Sequence, residues 1–139
     1  MSDRAAKKIG DDATLRVARM VERLSDEYAA VLAAETGRME THLARMRAAP
    51  EDGDAPRAMF RIAHDIKGQA ATFDRPLAGA VAGRLCGLLR EAAPGDVSSE
   101  TIAAHVALLR RVVDDRLRGA IDADGAALLE RLDRAAGLR

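Results

Sequence analysis

A histidine stands inside an amphipathic segment with a lysine three residues later and a glycine four residues later: His64, Lys67 and Gly68. Residues three and four apart on an α-helix are neighbours, so the imidazole has a cation and an open position beside it. Near neutral pH a large share of imidazole is uncharged and has a lone pair that can attack phosphorus. Phosphoryl transfer needs positioning and neutralisation of charge on the phosphoryl oxygens, which a lysine supplies. These residue types at this spacing make His64 a candidate acceptor for a phosphoryl group.

The residues around His64 on the same side of the helix are mostly basic or small. Their spacing places on one stripe Arg57, Phe60, Arg61, Lys67, Gly68 and Ala71. The face predicted to be buried runs beside this stripe and comprises Met59, Ala63, Ile66, Ala70 and Phe73. A glycine inside a helix costs about 1 kcal/mol relative to alanine, and clearance for an approaching partner explains Gly68. We therefore expect His64 to be exposed.

Helices must position this histidine, because apolar residues recur at steps of three and four along most of the chain. Strict apolar alternation over the length of a strand is absent, which predicts an all-α fold. We expect a flexible N-terminal tail over residues 1–12 and a single domain over 13–139. Within it we predict a short leading helix with a break near Ser25 and Asp26, long helices over 26–48, 55–73, 76–92 and 99–118, and a last short helix from Asp122. Short loops indicate an antiparallel up-and-down four-helix bundle with extra short helices at its N- and C-terminal ends.

One apolar face runs through the leading helix and the first long helix, and its methionines at positions 20, 39 and 46 fit core positions. It comprises Val17, Met20, Val21, Leu24, Tyr28, Val31, Leu32, Met39, Leu43 and Met46. Asp54 and either Ser98 or Ser99 are predicted N-caps, because their oxygens can accept hydrogen bonds from free N–H groups of the first turn. Cys86, the single cysteine, is predicted to be a small core residue.

The composition argues against several classes of function. Lys plus Arg and Asp plus Glu both number 22, whereas nucleic-acid binders usually carry a basic excess. Aromatic residues make up 2% of the chain, which is too few for a base-stacking surface. The N-terminus lacks the apolar stretch of a signal peptide, and no run approaches the ~18–20 apolar residues of a membrane span. We expect a cytoplasmic protein with neither nucleic acid nor a membrane as partner.

The segment His64-x-Ile66-Lys67-Gly68, followed by small residues and Thr72-Phe73, resembles the signature of the histidine phosphotransfer (HPt) domain family. The resemblance covers about residues 26–118, with its specific matches concentrated in 60–77. It implies a four-helix bundle in which His64 is the exposed phosphoacceptor through Nε2, Lys67 aids the phosphoryl group, and Gly68 gives clearance. Ala71 falls at a small-residue position of the family. The family often has glycine ten residues after its histidine, where this chain has Asp74; we expect Asp74 to cap the following helix.

The resemblance also implies the partners. Response-regulator receiver domains would dock on an apolar patch around Phe60, Gly68 and Ala71, with Arg61 in the charged rim, and a hybrid histidine kinase is a further candidate partner. We expect no cofactor and no metal in this chain, with Mg²⁺ held by the partner receiver domain. We also expect a monomer, because the bundle can close within one chain.

Three other functions stay open. His64-Asp65-Ile66-Lys67 also resembles the phosphoacceptor box of sensor-kinase dimerisation domains, although that box usually continues with Ser, Thr or Asn and then Pro, where this chain has Gly68-Gln69. A dimeric phosphotransferase without an ATP-binding domain therefore stays open as an alternative. A non-catalytic helical adaptor would need no accessible His64. A metal site built from His42, His64, His105 and Cys86 is disfavoured, because no Glu-x-x-His or His-x-x-x-His pair supports it.

Overall fold

The structure, a computed structural model, describes residues 3–91, 98–114 and 123–135. Regular structure in these ranges is helical throughout. The helices are α1 (Asp3–Ala48), α2 (Asp54–Thr72), α3 (Pro76–Glu91), α4 (Ser99–Asp114) and α5 (Ala123–Ala135). The predicted all-α fold is confirmed. The predicted helix ends at residues 92 and 118 and the predicted helix start at Asp122 lie outside the described residues.

Four helices surround one core. The C-terminal half of α1 packs against α2 and α4, and α3 completes the bundle between them. Apolar side chains from all four helices are fully buried in the centre: Leu32, Met39, Met59, Ile66, Leu85, Ile102 and Leu109. Helix α5 packs on α4 and α3 and adds Leu129 and Leu132 to the core. The predicted four-helix bundle with an extra C-terminal helix is confirmed.

The first helix differs from the expectation. It is continuous over 46 residues, so the predicted break near Ser25 and Asp26 is wrong. The hydroxyl of Ser25 is buried and donates to the Phe73 carbonyl (3.2 Å), which ties α1 to the end of α2 and leaves no N-cap there. Residues 3–12 lie within α1, where the sequence predicted a tail outside the helices.

The first part of the predicted apolar face is not buried. Every residue from 3 to 24 is exposed, including four on that face: Val17, Met20, Val21 and Leu24. The core position predicted for Met20 is therefore wrong. Val31 is 46% exposed, whereas Tyr28, Leu32 and Met39 are buried, the last as predicted. The spacing of the apolar residues correctly identified one face of a helix. However, α2 ends at Thr72, and its contact with α1 reaches only to about Ser25, so no helix in the described ranges covers the residues before it. We call residues 3–24 the arm.

The turn from α2 to α3 contains a backbone in the left-handed region. Asp74 has φ 55°, and the Arg75 N–H closes the turn by donating to the Ala70 carbonyl (2.9 Å). Arg75 is buried and donates from its guanidinium to the Ser25 carbonyl (2.8 Å). Asp74 thus takes the conformation that glycine adopts without steric cost, at the position where HPt sequences often have glycine.

Two predicted helix caps have different outcomes. Ser98 caps α4 as expected, since its Oγ accepts from the Thr101 N–H (3.1 Å). Asp54 instead lies in the first turn of α2, with Gly53 at the N-cap position. In the parts of the chain that the structure describes, no helix combines the length and apolar character needed to cross a bilayer.

Candidate functional site

His64 lies on the outer side of α2. Its side chain is 64% exposed, while the opposite side of α2 is buried through Met59, Ala63, Ile66 and Ala70. Phe73, the last residue of the predicted buried face, is half-buried and stacks on Tyr28 with ring centroids 4.8 Å apart. The core therefore fixes the rotation of α2 about its axis, and that rotation turns His64 to solvent.

The only acidic neighbour in sequence makes no hydrogen bond to the imidazole. Nδ1 of His64 lies 4.0 Å from Oδ1 of Asp65, and both side chains are about two-thirds exposed. This distance exceeds that of a hydrogen bond. Among the described residues, neither ring nitrogen of His64 has a hydrogen-bond partner. The ring nitrogens are therefore accessible to an incoming group.

Phe60 forms one wall beside the histidine. Its ring is half-buried, with its centroid 6.1 Å from that of the imidazole and an interplanar angle of 32°. The guanidinium carbon of Arg90, on α3, lies 5.6 Å from the centroid of the Phe60 ring. A cation over an aromatic face is attracted by the ring quadrupole. This contact ties the apolar wall on α2 to a positive charge on α3.

Lys67 is exposed one turn beyond His64, and its stem crosses α3. A Cβ on Gly83 would lie 3.7 Å from Cδ and 3.8 Å from Cε of Lys67. Gly83 was not among the site residues predicted from the sequence. Its signal was the repeat of glycines at steps of four on α3, namely Gly79, Gly83 and Gly87, which predicts a helix face where a neighbour approaches closely.

The remaining predicted docking positions are open. A Cβ on Gly68 would meet nothing within 4 Å, and Arg61 and Ala71 are exposed. Arg57, at the N-terminal end of the stripe, forms an exposed ion pair with Asp54. The structure thus brings Phe60, Lys67, Gly68 and Ala71 to one side of α2 around His64, as the spacing predicted.

The other two histidines and the cysteine are placed differently. His105 is buried, its Nδ1–H donates to the Thr101 carbonyl (2.7 Å), and burial lowers its pKa. His42 lies on α1, and Nη1 of Arg45 is 3.0 Å from its Nδ1. Partial burial lowers the pKa of His42, and the positive charge of Arg45 lowers it further. Cys86 is in the core, where burial raises the pKa of its thiol. Within the described ranges no three side chains of His, Cys, Asp or Glu converge as metal ligands.

The sequence profile of the Hpt domain family matches residues 31–135, from the bundle half of α1 through α5. The chain belongs to the Hpt domain family. Membership supports a histidine phosphotransfer role in phosphorelays, where Hpt domains interact with receiver domains and kinases. The matched range omits residues 3–30 of α1, most of which form the arm. Searches of the curated proteins and of the solved structures returned no match.

Proposed function

We propose that this Hpt protein relays a phosphoryl group between receiver-domain aspartates by way of phosphohistidine at His64. The observation that carries the proposal is an imidazole 64% exposed in the middle of α2, with a lysine and an open glycine one turn away. A nucleophile that accepts from a second protein must be reachable from outside, and it needs a cation close to the transferred group.

In the proposed step, Nε2 of His64 attacks the phosphorus of a receiver's aspartyl phosphate in line. The bond from phosphorus to nitrogen forms as the bond from phosphorus to the aspartyl oxygen breaks, and the receiver carboxylate leaves with the electron pair. Nδ1, which faces Asp65 at 4.0 Å, keeps its proton. The reverse sequence delivers the group to a second receiver, so no net oxidant, reductant or nucleotide is needed.

Lys67 stabilises the transferred group in this proposal. Lys67 stands one turn beyond His64 on α2, and its stem passes close to Gly83 on α3. A pre-positioned charge costs little reorganisation when negative charge moves on the phosphoryl oxygens. Mg²⁺ belongs to the receiver, whose phosphorylation site supplies its ligands.

The proposed docking surface comprises Phe60, Arg61, Gly68 and Ala71. Phe60 offers apolar area, the two small residues let the rim of a receiver approach, and Arg61 stands at the edge. Apolar centres with polar rims are typical of protein interfaces, and a relay that exchanges partners needs a small, transient one. The transfer site lies on a single chain, since the bundle that positions α2 closes without a second copy.

The test is phosphotransfer from a panel of radiolabelled phosphorylated receiver domains to the purified protein, to His64→Gln and to His42→Gln. We expect acid-labile, alkali-stable label on the wild type and on His42→Gln, and none on His64→Gln. ATP alone should give no label. A wild type that stays unlabelled across the panel while its circular dichroism shows an intact fold would replace the proposal with a non-catalytic adaptor. Label from ATP alone would favour a kinase-derived phosphotransferase.

A further inference from the structure

The arm exposes a set of large apolar side chains that the bundle does not use. Between 43% and 60% of the surface is exposed at each of Ile9, Leu15, Val17, Met20, Val21 and Leu24. Single exposed apolar residues are ordinary on protein surfaces, but several on one helix mark an interaction site. The exposed stripe is therefore a candidate docking surface, and the spacing of its residues bears on what could cover it.

Some residues of the arm lower its helix propensity, although most of the arm consists of good helix formers such as Ala, Arg, Lys and Leu. Gly10 lies in its interior, and β-branched residues with below-average helix propensity stand at Ile9, Thr14, Val17 and Val21. In proteins, helices gain most of their stability from packing an amphipathic face. A covering partner would therefore supply the packing that the bundle supplies to the rest of α1.

The exposed stripe has the seven-residue spacing of a coiled coil, with two positions that are not apolar. Val17, Leu24 and Val31 fall at one set of seam positions together with Gly10, and Ala6, Ala13 and Met20 fall at the other together with Glu27. Val31 is 46% exposed although its neighbour Leu32 is buried. The stripe therefore continues past the arm onto the part of α1 that packs in the bundle. A helical partner with the same repeat would fill this seam.

A second copy in antiparallel orientation matches the seam by size. In this register Ala13 faces Leu24 of the other copy and Ala6 faces Val31, so a small residue meets a larger one in both pairs. Val17 faces Met20 between them. Gly10, around which a Cβ would meet nothing within 4 Å, then faces Glu27 and leaves room for it. A parallel pair in register would instead set Gly10 against Gly10 and Ala13 against Ala13, which leaves gaps that cost packing.

We propose that two copies of this protein associate through an antiparallel coiled coil of their arms. From Ala6 to Val31 the seam is roughly 39 Å long at about 1.5 Å per residue. If half of each helix, about 10 Å in diameter, faces the partner, the interface totals roughly 1,200 Å², at the lower end of specific interfaces. The pair is therefore reversible. We expected a monomer because the four-helix bundle can close within one chain. The arm lies outside that bundle, so closure of the bundle does not prevent two arms from pairing.

The same register makes a prediction about salt. Arg16 and Arg23 of opposite copies fall at facing flank positions, and like charges there repel. Added salt screens exposed charges, so raising the ionic strength should strengthen the pair. Binding of the arm to an anionic lipid surface would respond in the opposite direction, because salt weakens attraction between opposite charges.

The first test is sedimentation velocity over a range of protein concentrations. We expect the wild type to pass from 14.8 kDa toward twice that mass, and the double variant Val17→Glu with Met20→Glu to stay at 14.8 kDa. Leu15→Glu is the matched control: Leu15 is 53% exposed on the same arm but off the seam, so this variant should behave as the wild type. Phosphotransfer from receivers should persist in all three proteins, which separates this proposal from the proposed function.

The second test is the orientation. A mixture of copies carrying Ala13→Cys with copies carrying Leu24→Cys should form a mixed disulfide on oxidation, and Ala13→Cys alone should not cross-link. Self-cross-linking of Ala13→Cys would overturn the antiparallel register. A wild type that remains monomeric at every concentration and salt, or that binds anionic phosphatidylserine vesicles only as a monomer, would overturn the second copy as occupant.

Discussion

The side chain of Lys67 on α2 crosses α3 at Gly83, where a Cβ would lie 3.7 Å from its Cδ and 3.8 Å from its Cε. These are ordinary van der Waals distances, so a methyl group fits there and a longer side chain does not. The two residues are sixteen positions apart in the sequence, yet the stem of Lys67 can pass over α3 because Gly83 has no side chain. Gly83 is therefore a positioning residue for the ammonium beside His64.

Replacing Gly83 with leucine should displace the stem of Lys67 and slow phosphoryl transfer to His64 roughly tenfold, since small misplacements of a charge are costly. Gly83→Ala should transfer at the wild-type rate. Single-turnover labelling from one phosphorylated receiver measures both. Lys67→Gln gives the loss of the charge itself, and adding Gly83→Leu to it should cause no further loss. A fully additive loss would mean that Gly83 acts independently of Lys67.

Gly68 differs from Gly83 because a Cβ placed on it would meet nothing within 4 Å, so it leaves open space beside His64. Gly68→Ala should raise the free energy of unfolding by about 1 kcal/mol, the usual gain for alanine in a helix interior. It should also slow transfer, because the methyl group occupies the approach to His64. Urea unfolding and single-turnover labelling test the two effects.

Gly37→Ala is the matched control for Gly68→Ala. A Cβ there meets only the Arg110 guanidinium at 3.7 Å, on the α4 side of α1. We expect a similar stabilisation with an unchanged rate of transfer. Equal rates for both variants would show that Gly68 leaves no space that a receiver uses.

The bundle and the neighbours of His64 could be predicted because they depend on local spacing. Met59, Ala63, Ile66 and Ala70 share a face by helix geometry alone, and burying that face turns His64 outward. Ser98 was a predicted cap because its bond to Thr101 spans a single turn.

What could not be predicted depends on contacts between helices. Val17 and Tyr28 continue the same period, but Tyr28 meets Phe73 while Val17 lies beyond the end of α2. A period specifies a face and not its partner, so it did not show that the face is buried at Tyr28 and exposed at Val17. The contact of Lys67 with Gly83 likewise depends on the register between α2 and α3, which spacing within one helix does not contain.

The backbone conformation of Asp74 should lower the stability of the folded protein. Its φ of 55° lies in the left-handed region, which costs L-residues about 1–2 kcal/mol and glycine little. We expect Asp74→Gly to raise the free energy of unfolding by up to about 1 kcal/mol and Asp74→Val to lower it by roughly 1–2 kcal/mol. Glu51, an exposed turn residue without positive φ, is the control: glycine should not stabilise there. Equal stability of Asp74→Gly and Asp74→Val would contradict the strain.

The buried hydroxyl of Tyr28 makes no hydrogen bond within the described part of the chain. The side chain is buried, and burial raises its pKa to about 12. Tyr28→Phe keeps the stacking on Phe73 and should raise the free energy of unfolding by about 1 kcal/mol, since it removes an unsatisfied buried group. Tyr28→Leu should lower it through loss of the stacked ring. A loss of stability in Tyr28→Phe, measured by urea unfolding, would mean that the hydroxyl is hydrogen-bonded.

His105 should make the stability of the bundle depend on pH. Burial lowers its pKa below 6.5, Arg84 adds to this lowering, and the Thr101 carbonyl and Asp133 oppose it. The unfolded chain therefore binds a proton more readily than the folded chain, so stability is complete above about pH 6.5 and falls as the pH drops. For one such group the slope is at most about 1.4 kcal/mol per pH unit. Urea unfolding between pH 7.5 and 5 should show this decline in the wild type.

The decline can be assigned by two variants. His105→Gln keeps a donor for the Thr101 carbonyl and should flatten the dependence between pH 6.5 and 5. His42 also has a lowered pKa, by partial burial and Arg45, but it lies nearer the surface, so His42→Gln should remove less of the slope. If His105→Gln leaves the slope unchanged, the proton taken up on unfolding belongs to another group. Because the proposed transfer site around His64 lies on a different face, the rate of transfer at pH 7.5 should be equal in both variants.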